Sequence, residues 1–189
     1  LPARSDESAS VYEHCVRAIA LNLTTGDHGL PLMGTGDWND GMSLVGAGGK
    51  GESVWLGWFL VSILRPFADV AAARGELDRA DVYRRHAAEL EQALELAWDG
   101  EWYRRAYFDD GTPLGSKENA ECRIDLIAQA WAVLSGVAPP ALQRMALAAV
   151  DAHLVDQEAG LVKLLDPPLQ HAQPSAGYIQ AYPPGVREN

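Results

Sequence analysis

Residues Val54 to Val61 read Val-Trp-Leu-Gly-Trp-Phe-Leu-Val. A helix built from such a run is apolar nearly all round, so it has to be enclosed by other elements of the chain. The segment continues to about Arg74, just before Gly75, and Pro66 predicts a kink or a break within it. Its longest apolar stretch, near Val54 to Leu64, is too short and interrupted to span a bilayer, so this segment is not expected to insert in a membrane. It is expected to be the centre of a core instead. At 189 residues and 48% hydrophobic content the chain is long enough to build one.

Other segments carry the same period. Ser5-Asp6-Glu7 offers a cap and first-turn acids, and Val11, Cys15, Ala18, Ile19 and Asn22 follow at helical spacing, which predicts a helix from about Glu7 to Leu21. A second, amphipathic helix is expected from about Asp78 to Ala97, with Val82, Leu90, Leu94 and Leu96 on one side and charges on the other. Trp102 to Phe108, followed by Asp109-Asp110-Gly111, predicts a short strand and a tight turn. Helices resume at about Ile124 to Ser135 and Pro140 to His153, and the proline-rich end is irregular with one or two short strands. Strands do not alternate with helices, so a parallel α/β sheet is disfavoured. The fold class expected is mainly α, an α-helical toroid or a piece of one with a β-hairpin excursion. Both ends read as cut, so residues 1–189 are expected to be one fragment of a single domain.

The net charge of −11 argues against nucleic acid or an anionic membrane surface as partner. Cys15 and Cys122 lie far apart without Cys/His clustering, so neither a metal site nor a disulfide framework is expected. A reducing, cytoplasmic setting fits best.

The connection from Thr24 to Gly51 is rich in glycine and has no sustained period, and long structureless loops in compact domains tend to be functional. Within it, Asp37-Trp38-Asn39-Asp40 sets two carboxylates, an indole and a carboxamide between glycines that let the backbone approach a ligand. A Trp offers a flat apolar face to a pyranose, Asn and Asp hydrogen-bond to hydroxyls, and a carboxyl of raised pKa can protonate a glycosidic oxygen. The same residue types also suit Asx-turns at Asp37 and Asn39, a core role for Trp38 and a helix cap at Asp40.

Five segments together carry a family resemblance: HGLPLMGTGDWNDGM (His28 to Met42), GKGESVWLGWFL (Gly49 to Leu60), WDGEWYRRAYFDDGTPLGS (Trp98 to Ser116), ECRIDLIAQAWAVLSG (Glu121 to Gly136) and YPPGVREN (Tyr182 to Asn189). They resemble consecutive blocks of glycoside hydrolase family 94, formerly grouped with glycosyltransferase family 36. The RSDESASVYEHCVRAI opening (Arg4 to Ile19) most resembles the phosphorylase-like domain of bacterial cyclic β-1,2-glucan synthases, which are associated with the inner membrane.

The resemblance implies an (α/α)6 barrel, of which this chain supplies less than half of the helices together with long active-site loops. It implies phosphorolysis of a β-glucosidic bond, with inversion and release of α-glucose 1-phosphate. Inorganic phosphate is then the co-substrate, and neither cofactor nor metal is needed. The acid falls on Asp40, with Trp38 as a sugar-contacting neighbour, and Asp37 is cast as a structural or hydroxyl-binding residue beside Asn39. One acid suffices because phosphate brings its own charge and nucleophilic oxygen, whereas an inverting hydrolase needs a second carboxylate to activate water. The phosphate-binding segments of the family would follow Asn189, so the isolated fragment is expected to be inactive and its partners to be β-glucan, phosphate and the rest of the parent polypeptide.

Further candidates have bland alternatives. Arg104 or Arg105 could face a cleft or form surface salt bridges. Gln129 could reach a sugar hydroxyl or serve as a buried packing amide. Arg187 and Glu188 resemble a substrate loop. Glu52 reads as the opening of a helix rather than as a catalyst, His28 as structural, and Trp55, Trp58, Phe59 and Trp131 as core. Three rival functions remain open: an (α/α)6 hydrolase, revealed by phosphate-independent sugar release; a free-standing oligoglucan or cellobiose-type phosphorylase; and a non-catalytic glucan-binding module, revealed by binding without turnover.

Overall fold

A computed structural model describes residues 6–189. Its helices are α1 (Val11–Leu21), α2 (Val54–Ala73), α3 (Leu77–Leu96), α4 (Leu126–Leu134) and α5 (Pro140–His153). Between and after them run seven two-residue strands: β1 (Glu52–Ser53), β2 (Ala106–Tyr107), β3 (Pro113–Leu114), β4 (Ile124–Asp125), β5 (Val155–Asp156), β6 (Leu161–Val162) and β7 (Leu165–Asp166). A 3-10 turn at Tyr178–Ala181 follows. The fold is mainly α with small sheets.

The apolar helix α2 is long and apolar enough, by length and composition, to cross a membrane. It is buried on the face that meets α3 and α4, but Leu56, Phe59, Ile63 and Phe67 are half-buried and Arg65, Pro66, Asp69 and Val70 are exposed, so it is enclosed only in part. Trp58, Val61, Leu64 and Ala68 join Tyr83, Ala87, Leu90 and Leu94 of α3 and Ala128 and Ala132 of α4 in one core cluster. Gly57 permits a close approach in this packing, since a Cβ there would lie 3.0 Å from Leu94 Cδ2 and 3.2 Å from Leu30 Cδ2. Pro66 neither breaks nor ends α2, which runs unbroken to Ala73. A missing amide costs one ladder bond, and the packing against α3 holds the helix on both sides of it. Trp55 and Trp58 are buried, while Phe59 and Trp131 are half-buried in an aromatic cluster with Trp55.

Several boundaries differ from the sequence reading. Helix α1 begins at Val11 rather than near Glu7, because Ser10 takes the capping role and its hydroxyl accepts the Glu13 N–H. The cap expected at Ser5 lies outside the described residues. On α3 the buried stripe is Ala80, Tyr83, Ala87, Leu90 and Leu94, whereas Val82 and Leu96 face out. The stripe steps by three and four residues, and neither Val82 nor Leu96 falls on it. Ile124 and Asp125 form a strand, so α4 starts at Leu126.

That last difference reveals a device used twice. Ser53 ends β1 and caps α2, accepting the Leu56 N–H at 3.0 Å. Asp125 ends β4 and caps α4, accepting the Ile127 N–H at 2.9 Å. β2 is the middle strand of an antiparallel sheet, pairing Tyr107 with Glu52 and Ala106 with Leu114, while β4 pairs with β7. Both helix starts are thereby anchored to short sheets. Under the glycine-rich loop lies a second core, in which Met33, Met42 and Val45 meet Phe108, Leu114, Leu165 and Ile179. The C-terminal segment packs against the loop through this core.

Candidate functional site

The loop from Thr24 to Gly51 is held at its edges by carboxylates that accept backbone N–H groups. Asp109, in the β2–β3 turn, takes Gly48 N at 2.6 Å and Lys50 and Gly51 N at 2.8 Å each. Burial pushes its carboxyl up, but these three donors outweigh that and hold it below the usual range. At the other edge, Glu52 accepts His28 N at 3.1 Å and Leu30 N at 2.9 Å and meets His28 Nδ1 at 2.5 Å. The His28 ring stacks on Tyr107 with centroids 3.7 Å apart. Glu52 therefore does not open α2, as its place in the sequence suggested. Its side chain turns back to fasten the loop, and it is Ser53 that caps the helix.

Inside the loop, Asp37 is drawn inward. Arg105 grips it through Nη1–Oδ2 at 2.7 Å and Nη2–Oδ1 at 2.6 Å, and both side chains are essentially inaccessible. Ser53 donates to the same carboxylate at 2.6 Å, and Asn39 N at 3.0 Å. Burial pushes the Asp37 carboxyl up, yet the Arg105 charge and these hydrogen bonds win and hold it below the ordinary value. Arg105 Nε also stands 3.2 Å from Asp125 Oδ2. Burial raises the Asp125 carboxyl; the Arg105 charge opposes this without overcoming it.

With Asp37 turned in, its neighbours turn out. Trp38 is 54% exposed and Asp40 is exposed, while Asn39 is fully buried between them. Asn39 Oδ1 accepts Gly41 N at 3.1 Å, and its Nδ2 has no hydrogen-bond partner. Neither the core role open to Trp38 nor the helix cap open to Asp40 describes these positions, whereas the Asx contacts of Asp37 and Asn39 both form.

Asp40 lies near enough to the C-terminal segment for its charge to act there. Desolvation, then the Asp40 charge, raise the Tyr178 phenol above its ordinary value. Tyr178 packs edge-on to Tyr182 at 6.1 Å, and the Arg187 guanidinium lies 5.1 Å from the Tyr182 ring and donates to its hydroxyl at 3.1 Å. Glu188 sits beside Arg187 at 3.5 Å. Asn189 fastens this segment through Leu169 N at 2.6 Å and Leu169 O at 2.7 Å. Arg187 and Glu188 gather at Tyr182, which packs on Tyr178, and both tyrosines are additions to the residues that the sequence singles out. Single tyrosines in an irregular, proline-rich stretch carry no periodic signal to mark them.

Two other candidates are paired within the protein, although the buried Arg104 Nε has no hydrogen-bond partner. Arg104 pairs with Asp99 at 2.6 Å, and Asp99 also accepts Ser116 Oγ and Lys117 N at 2.9 Å each. Gln129 is fully buried, where its Oε1 accepts Tyr103 N and its Nε2 donates to Tyr103 O, both at 2.8 Å, and to Asp125 O at 3.0 Å. It fills the packing-amide alternative. Among the described residues no group of three or more His, Cys, Asp or Glu side chains could hold a metal ion.

A mainly helical domain that presents an indole and a carboxylate on a fastened glycine-rich loop has the make-up of a carbohydrate-active enzyme domain of glycosyl-transfer type. The chain belongs to the Glycosyl hydrolase 94 superfamily, whose catalytic domain it matches over residues 1–189. It is 54% identical over 190 residues to the cyclic beta-(1,2)-glucan synthase NdvB of Rhizobium meliloti, covering 100% of this chain and 7% of the synthase. It is 36% identical over 187 residues to a 3-O-beta-D-glucopyranosyl-beta-D-glucuronide phosphorylase of Paenibacillus borealis, covering 98% of this chain and 24% of that enzyme. With the cellobionic acid phosphorylase of Neurospora crassa it shares 35% identity over 191 residues, covering 100% of this chain and 24% of the relative. The chain therefore spans a quarter or less of the length of these relatives.

Proposed function

We propose that this chain forms part of an (α/α)6-barrel catalytic domain, within a longer polypeptide, that cleaves a β-1,2-linked glucan with inorganic phosphate and inverts the anomeric centre. The observation that carries the reading is the split within one loop. Asp40 is exposed beside exposed Trp38, whereas Asp37 is buried and fully engaged by Arg105 and Ser53. Of this pair it is Asp40 whose exposure supports a role at a ligand.

In the reaction, Trp38 supplies an apolar face for a glucosyl ring and Asp40 gives its proton to the departing glycosidic oxygen. A phosphate oxygen attacks C1 from the opposite face as that bond breaks, forming α-glucose 1-phosphate. Asp37 is too firmly paired with Arg105 to serve as a base for water, which favours phosphorolysis over hydrolysis. Arg187 and Glu188, gathered at Tyr182 in the segment that packs on the loop of Asp40, are the further residues assigned to substrate contact.

The test is release of glucose 1-phosphate from β-1,2-glucan by the full-length parent protein, with and without phosphate, for wild type and Asp40→Asn. Product that requires phosphate and falls by about 10²- to 10⁴-fold in the variant is expected for loss of a general acid. Free glucose released without phosphate would make the domain a hydrolase. Retained glucan binding without turnover in the wild type would make it a binding module.

A further inference from the structure

The geometry points to Arg105 as a positioning residue for catalysis: through its two-point hold on Asp37 it fixes the loop that presents Asp40. This rests on Asp40 being the acid.

Arg105 is completely buried, and its guanidinium faces carboxylates of the protein itself. Its two terminal nitrogens hold both oxygens of Asp37 at 2.7 and 2.6 Å. One of those oxygens also accepts the backbone N–H of Asn39, next to Asp40 in sequence, at 3.0 Å. The path from guanidinium to acid is therefore one ion pair, one hydrogen bond and one peptide. At its other end Arg105 rests on fixed points. Ser53, the cap of α2, lies 3.4 Å from Nη1, and Asp125, the cap of α4, lies 3.2 Å from Nε. A planar fork that meets a carboxylate at two points fixes orientation as well as distance, which a lysine ammonium cannot do. The loop contains many glycines, so without this hold its crest would have many conformations to choose from. A misplacement of about 1 Å in a catalytic group can cost on the order of a hundredfold in rate.

A positioning role acting through the acid has a signature that a general loss of structure lacks. When the leaving group is a good one, cleavage needs little protonation, so damage confined to the acid disappears. The experiment uses the full-length parent protein and compares β-1,2-glucan with a β-glucoside of 2,4-dinitrophenol, each with phosphate, for wild type, Arg105→Lys, Asp37→Asn and Asp40→Asn. Arg105→Lys keeps the buried charge but loses the fork. Asp37→Asn keeps the shape and the acceptor for Asn39 N, and gives a second route should the lysine variant fail to fold. The expected result is a fall in kcat on glucan of about tenfold or more for both, with KM little changed, and rates on the dinitrophenyl glucoside within about threefold of wild type. Asp40→Asn is expected to show the same split more strongly. Equal losses on both substrates, or no loss on glucan, in Arg105→Lys and Asp37→Asn would overturn the positioning role while leaving Asp40 as acid if its own split persists. An Asp40→Asn variant with undiminished turnover of glucan would overturn both.

Discussion

Gly177 lies so close to Ser43 that a Cβ on Gly177 would stand 2.5 Å from the Ser43 backbone nitrogen and 2.7 Å from the Gly41 carbonyl oxygen. The residue also has φ of +127°, a conformation that side-chain-bearing residues rarely adopt. This is where the C-terminal segment is seated on the acid loop. The next residue, Tyr178, lies within reach of the Asp40 charge, and Ile179 N donates to Gly41 O at 2.9 Å. Gly177→Ala is expected to unseat Tyr178 and Ile179 without touching α2 or α3. The measurement is glucan phosphorolysis alongside far-UV circular dichroism in the full-length protein. Activity should fall at least tenfold with helix content preserved; activity within twofold of wild type would show that the segment's seat does not matter to the site.

Trp38→Ala separates ligand contact from fold. With the indole 54% exposed, its removal is expected to change stability by no more than about 0.5 kcal/mol. A sugar-stacking role predicts a raised KM for glucan. Loss of thermal stability by several degrees would instead mean that the indole is part of the core.

Glu52 offers a sharper stability test. Its side chain is almost inaccessible, and its carboxylate accepts N–H groups from His28 and Leu30. Replacing one of its oxygens with an amide NH2, in Glu52→Gln, turns a donor toward these donors. Because a buried donor left without a partner costs on the order of 1–3 kcal/mol, and more for charged groups, the variant is expected to lose about 2 kcal/mol in urea unfolding. A loss under about 0.5 kcal/mol would show that the loop edge tolerates the change.

Much of this arrangement could be read from the chain and some could not. The core helix α2 is legible because its first half is too apolar to be left in water, and the loop of Asp40 is legible because glycine and aperiodicity mark it. Pairing across long separations is not. Nothing local distinguishes Arg105, which reaches Asp37, from Arg104, which reaches Asp99. Likewise Glu52 sits where a helix-opening acid belongs, and only the return of the chain at His28 gives its carboxylate another use. The start of α4 lies two residues beyond the expected Ile124 because Asp125 serves as strand end and cap at once, two roles that share one residue.

The two carboxylates around Arg105 should respond to pH in opposite senses. Asp37 titrates lower in the folded protein than its ordinary value, so the stability it contributes is complete above about pH 4 and is lost as pH falls through its folded value. Asp125 is raised by burial. Its protonated form favours the fold at low pH, and that contribution is lost as pH rises from the ordinary value through the raised one. Asp37→Asn should therefore become more destabilising, relative to wild type, as pH rises from about 3 to 7, reaching on the order of 3–5 kcal/mol because it leaves the Arg105 charge short of a partner. Asp125→Asn removes the more costly charge and keeps an oxygen for the Ile127 N–H. Its destabilisation should shrink over the same range. Urea unfolding of both variants and wild type at several pH values measures the two slopes. Slopes of the same sign would mean that the buried charge around Arg105 is not divided in this way.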